Sequence, residues 1–154
     1  NRRIQANKVV FDNLNFVLDS MSLKIRDGGF FYCDPLGTLP YPVYTIGNDC
    51  ISGSTLYFRI DDDGDGTKDD AKIYQKSTAT DNGIIHGTIS FSDGLTAFTP
   101  ITLPTIDVTD LIFYVTGTNG SNPIPVPMIT ILIRGKNTDP KNPTDFQLQT
   151  TISN

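Results

Sequence analysis

Residues 61–70 read Asp-Asp-Asp-Gly-Asp-Gly-Thr-Lys-Asp-Asp, six carboxylates and one lysine in ten positions. Asp61, Asp63 and Asp65 alternate, and Gly66 follows where a sharp bend is needed. That is the spacing of positions 1, 3, 5 and 6 of a calcium loop of the EF-hand type. The spacing matters because calcium takes about six to eight oxygens around one point. Alternate carboxylates in a tight turn converge there. Thr67 would offer its backbone carbonyl at the seventh position and Asp69 would stand at the ninth. The second half departs from the pattern: Lys72 stands where a bidentate Glu is required, and the flanking residues read as strands. The expectation is a structural Ca2+ loop inside a β-hairpin, closed by Asp69 or Asp70. The competing reading is a solvated turn, because Gly supplies positive φ and Asp caps its own backbone. A turn needs only one or two such residues, however, and six carboxylates repel one another without a cation.

Other chemistry is thinly represented. His86 is the single histidine, set in a strand-like run, and no Gly-x-Ser-x-Gly elbow accompanies it. All 17 acidic residues are Asp, so a glycosidase pair would have to be drawn from Asp alone. There is no P-loop or dinucleotide fingerprint. The expectation is a protein that is not an enzyme. The net charge of -5 and the lack of a basic stripe exclude a nucleic-acid partner. Asn119-Gly120-Ser121 fits a glycosylation sequon but reads first as a turn. Pro123, Pro125 and Pro127 stiffen the connection that follows it. Cys33 and Cys50 lie outside any CxxC and have no histidine cluster beside them. A disulfide between them is expected in an exported protein.

These groups must be held by one domain, for which 154 residues suffice. Residues 2–27 read as a helix. Ile4, Phe11, Leu14, Leu18, Met21 and Ile25 recur at spacings of three, four or seven, and Val10 and Val17 widen the stripe. Lys24 and Arg26 suit the negative end of the helix dipole, and Gly28-Gly29 stop the helix. Arg2 and Arg3 oppose the dipole at the other end, so the natural helix is expected to continue upstream. Past residue 29, β-rich runs alternate with turn residues. Strands are expected at 55–60, 71–75, 84–91, 111–116, 128–134 and 145–153. In the last, Phe146, Leu148, Thr150 and Ile152 face one way and the polar residues between them face the other. Residues 30–50 read as an irregular loop pinned by the cysteines. One helix followed by a run of strands is the α+β pattern, a long amphipathic helix laid on an antiparallel sheet in a single domain, 1–154, with 1–28 helical and 29–154 β-rich.

This order of parts resembles the type IV pilin superfamily, above all the minor pilins and the J class of type II secretion minor pseudopilins. The resemblance is carried by the helix 2–27, by the strand 56–60 running into Asp61–Gly66 and then Ala71-Lys72-Ile73-Tyr74, by the late strand 128–134 leading to Gly135-Lys136, and by the terminal run 146–153. The family's processed leader and apolar helix with an early Glu are not in this sequence. The resemblance implies a filament subunit of the cell envelope, anchored in the inner membrane as a precursor by an upstream apolar helix and methylated at its mature N-terminus. Its partners would be other pilin or pseudopilin subunits, and its globular part would face the periplasm or the exterior. Ile4, Val10, Phe11, Leu14, Val17, Leu18, Met21 and Ile25 would then serve the helix's own core and its assembly contacts. The alternative is a calcium-stabilised adhesin or carbohydrate-binding module. It would need an aromatic platform, for which Tyr32, Tyr41 and Tyr44 are the candidates.

Overall fold

The computed structural model describes residues 2–33, 47, 49–94, 97–118, 126–141 and 143–153. Helix α1 (Arg2–Arg26) opens the chain. It ends where the Gly28 N–H donates to the Ile25 carbonyl at 3.0 Å, a turn that closes the last open carbonyls. Among the described residues nine strands follow: β1 (Gly29–Cys33), β2 (Cys50–Gly53), β3 (Thr55–Ile60), β4 (Asp70–Asp81), β5 (Ile84–Ser92), β6 (Thr99–Pro100), β7 (Ile106–Thr116), β8 (Met128–Asn137) and β9 (Asp145–Ser153). The fold class is α+β, as the sequence implies, but the strands form two antiparallel sheets and not one. The first has the order β1-β3-β4-β5-β6 and the second β2-β7-β8-β9.

Both sheets and the helix share one core. Val10, Leu14, Val17, Leu18, Met21 and Ile25 are buried there, against Phe31, Leu56, Phe58, Tyr74 and Ile89 of the first sheet and Phe113, Val115, Ile129, Ile131, Ile133, Phe146 and Ile152 of the second. Each of the six helix residues lies on the stripe set out by the sequence. Ile4 is exposed because the buried stretch of the helix begins only at Val10, and Phe11, within that stretch, lies at the edge of the buried face and is exposed as well. An aromatic ladder crosses the first sheet. Phe31, Phe58, Tyr74 and Phe91 sit on four successive strands with ring centroids 6.0, 5.9 and 5.0 Å apart, spacings at which aromatic pairs attract beyond their burial. Lys24 caps the ladder with its Nζ 5.3 Å from the Phe91 centroid.

The strands 55–60 and 145–153 run as expected, while β4, β7 and β8 are longer than their patterns suggested. The region expected to be irregular carries β1 and β2 at its two ends. Cys33 closes β1 and Cys50 opens β2, and the two form a disulfide with Cα atoms 5.9 Å apart. Because β1 belongs to one sheet and β2 to the other, the bond staples the two sheets together. A loop of 17 residues closed this way is worth about 3 kcal/mol by chain entropy. Such a bond belongs to an oxidising, extracytoplasmic environment. Among the described residues, no helix is long and apolar enough to cross a membrane.

Candidate functional site: the aspartate loop between β3 and β4

β3 and β4 pair from Thr55↔Gln75 to Ile60↔Asp70, and the connection between them is the acidic segment. Its backbone is organised by its own carboxylates. Asp61 Oδ1 accepts from the N–H of Gly64 at 2.8 Å and of Asp65 at 3.1 Å, and Oδ2 accepts from Gly66 at 2.8 Å. Asp63 Oδ1 accepts from Asp65 N–H at 3.1 Å, and Asp65 Oδ1 from Thr67 N–H at 2.7 Å. Asp70 Oδ2 closes the loop by accepting from the Asp62 N–H at 2.8 Å. Gly64 and Gly66 hold φ of 76° and 90°, the left-handed region where a side chain would be strained.

The winding brings together the carboxylates that the sequence singled out. Asp61, Asp63 and Asp70 form one group and Asp63, Asp65 and Asp69 another, with the offered oxygens of each group within 4.8 Å of one another. Asp63 belongs to both. Its proton affinity is balanced: the N–H of Asp65 favours the carboxylate, but partial desolvation and the neighbouring Asp65, Asp61 and Asp70 outweigh it and push the pKa up. The Thr67 carbonyl accepts from the Asp69 N–H at 3.1 Å and retains its second lone pair. The donor set is all oxygen and mostly anionic, which suits a hard divalent cation and not a thiophilic one.

Asp62 points elsewhere. Lys72, only 4% exposed on β4, reaches Asp62 Oδ2 at 2.8 Å and Asp93 Oδ1 at 3.0 Å. Hydrogen bonding and charge from Lys72 hold the Asp62 carboxyl below the usual carboxylate range. Burial pulls the Lys72 pKa down, but the two carboxylates more than compensate, and it lies above the ordinary lysine value. The residue that breaks the EF-hand pattern is thus a built-in cation at the rim of the loop. It neutralises one of the six aspartates of the segment and ties the loop to the end of β5. The sequence shows Lys72 at the wrong position for a ligand. It gives no signal of Asp93, which only the sheet pairing brings close. Lys68 anchors the loop from the other side, donating to the Gly28 carbonyl at 3.0 Å, so the acidic segment sits at the C-terminal end of α1.

The remaining candidates are dispersed. His86 is buried and bonded to Asp81. Tyr32 is half-buried. Tyr41 and Tyr44, the sequon at 119–121, and Pro123 and Pro125 lie outside the described residues. One feature escaped the sequence reading. Val9, Phe16 and Leu23 are 50%, 72% and 63% exposed, and they recur every seven residues on the face of α1 turned away from the core. The spacing was present in the sequence, but the first stripe already accounted for an amphipathic helix.

The chain matches no protein-family model, no characterised protein sequence and no solved structure.

Proposed function

We propose that the chain is an assembly subunit of the minor-pilin or minor-pseudopilin kind, built into a type IV pilus or type II secretion-like filament through its N-terminal helix. The observation that carries this reading is the second apolar stripe of α1. A helix that only covers a sheet needs one apolar face. This helix has a buried face and, opposite it, Val9, Phe16 and Leu23 in the open, with Ile4 and Phe11 exposed along the edge of the first. Large apolar side chains lined up on one exposed face mark a surface that meets another protein. The inter-sheet disulfide supports a working place outside the cytoplasm. Replacing Phe16 and Leu23 together by Lys is expected to leave the melting temperature within a degree or two, since neither side chain is in the core. The same variant is expected to be excluded from filaments in cells that express the intact subunit. A double variant that folds and still enters filaments at the wild-type level sinks the reading.

Calcium held by Asp61, Asp63, Asp65, Thr67, Asp69 and Asp70 is part of the same proposal, with a structural role: the ion would fix a loop whose carboxylates otherwise repel. A ligand of the folded state stabilises it by about 2.7 kcal/mol at one hundred times its dissociation constant. Saturating calcium is therefore expected to raise the melting temperature, and Asp63→Asn, which removes the carboxylate common to both groups, is expected to abolish most of the gain. Equal melting temperatures in calcium and in chelator would remove calcium from the proposal and leave the helix argument intact.

A further inference from the structure

We propose that a proton on His86 fastens the β4–β5 hairpin at the point where it presses on β7, and that this hold weakens as the pH rises through the ring's titration. The seam is a close one. Gly87 on β5 lies so near β7 that its N–H donates to Asp107 Oδ1 at 2.8 Å, and there is no room for a Cβ against the Val108 carbonyl. His86 is the neighbouring residue and is 3% exposed. Its Nε2 is 2.7 Å from Asp81 Oδ2 on β4, and its Nδ1 is 3.4 Å from the Gly87 carbonyl. A carboxylate and a carbonyl can only accept. A neutral imidazole has one N–H and one lone pair, so it would set that lone pair against an oxygen. The doubly protonated ring satisfies both sides.

The surroundings favour the same state. The hydrogen bond from Asp81 raises the His86 pKa most; burial opposes it; the Gly87 and Ile106 backbones and the charge of Asp81 add to the rise. From β4 the charged group facing the ring is Asp81. From β7 the uncharged Ile106 backbone faces the ring; Asp107 is bonded to the next residue, and behind Asp107 stands Lys136 of β8 at 4.0 Å. The segment after β6 contributes Thr102 and Pro104, neither ionisable, to a cleft of about 340 Å³ lined by Asp81 and His86, in which the Asp81 carboxylate is open to solvent and the ring is not. Since the folded pKa lies above the free value of 6.5, the stabilisation is complete below that value and is lost as the pH climbs through the raised pKa.

The test is an NMR titration of the His86 ring in the whole domain, with thermal melts between pH 5 and 9. The expected result is a ring that titrates above a free histidine, with a melting temperature that falls over the same interval. Amide exchange at Gly87 and Val108 should quicken there as well. His86→Gln should flatten that part of the pH profile. If that variant does not fold, Asp81→Asn serves instead, because it keeps the histidine and should move its titration downward. A His86 that titrates at or below the free value, or a titration that Asp81→Asn leaves in place, overturns the proposal.

Discussion

Leu14→Asp is expected to abolish cooperative folding. Leu14 is 0% exposed, at the centre of the buried stripe and in the core shared with both sheets. Removing a buried leucine side chain costs about 2–5 kcal/mol. Placing a carboxylate in the same apolar volume adds several more, unless it takes up a proton. The total is about the 5–15 kcal/mol that holds a domain of this size together. The measurement is a thermal melt followed by circular dichroism, with Phe16→Asp as the comparison. Phe16 lies two residues along the same helix but is 72% exposed, so the same chemical change there should cost less than about 1 kcal/mol. The contrast separates burial from helix propensity, which the two sites share. A Leu14→Asp protein that melts at the wild-type temperature would mean that α1 does not dock through this stripe, and the core described above would be wrong.

The helix, the strands with clean alternation and the acidic loop were legible in the sequence for one reason: each is written in neighbouring residues. Periodicity reveals a stripe at Val10, Leu14, Val17, Leu18, Met21 and Ile25 because positions three and four apart share a helix face. Asp61, Asp63 and Asp65 converge because a turn forces them to. What the sequence hid is what depends on distant pairing. β1 is a short apolar run, Gly-Phe-Phe-Tyr-Cys, without alternation, and β2 is four residues long. Each is a strand because of its partner, β3 for one and β7 for the other. Since β2 joins β7, more than fifty residues later in the chain, no local pattern could show that the strands divide into two sheets. Lys72 meets Asp93 across 21 residues and so was not recognisable as a cation shared by two elements. The sequence places His86 in a strand-like run and carries no sign that it is buried. Its burial and its diagonal bond to Asp81 follow from the register of the β4–β5 hairpin, Ala79↔His86 and Asp81↔Ile84.

Gly87→Ala should be the most damaging single-methyl change at the sheet seam, costing about 3–5 kcal/mol and lowering the melting temperature by about 10 °C. Most glycine-to-alanine changes in strands are mild or even favourable. Here the new Cβ would overlap the Val108 carbonyl oxygen and stand 2.9 Å from its carbon, and both atoms are backbone, which cannot rotate aside as a side chain can. β5 would have to lift from β7, breaking the hydrogen bond from Gly87 to Asp107. That bond ends on a carboxylate and so is worth more than a neutral one. The disulfide would still join the sheets at β1 and β2, so the expected product is a domain that opens at one place while remaining covalently stapled at another. Hydrogen exchange distinguishes this from general destabilisation: protection should fall along β5 and β7 before it falls in β8 and β9. A variant that melts within a degree of wild type would show that β5 does not press on β7. The two sheets would then need the core and the disulfide alone to hold their relative orientation, and with it the surface on which α1 presents Val9, Phe16 and Leu23.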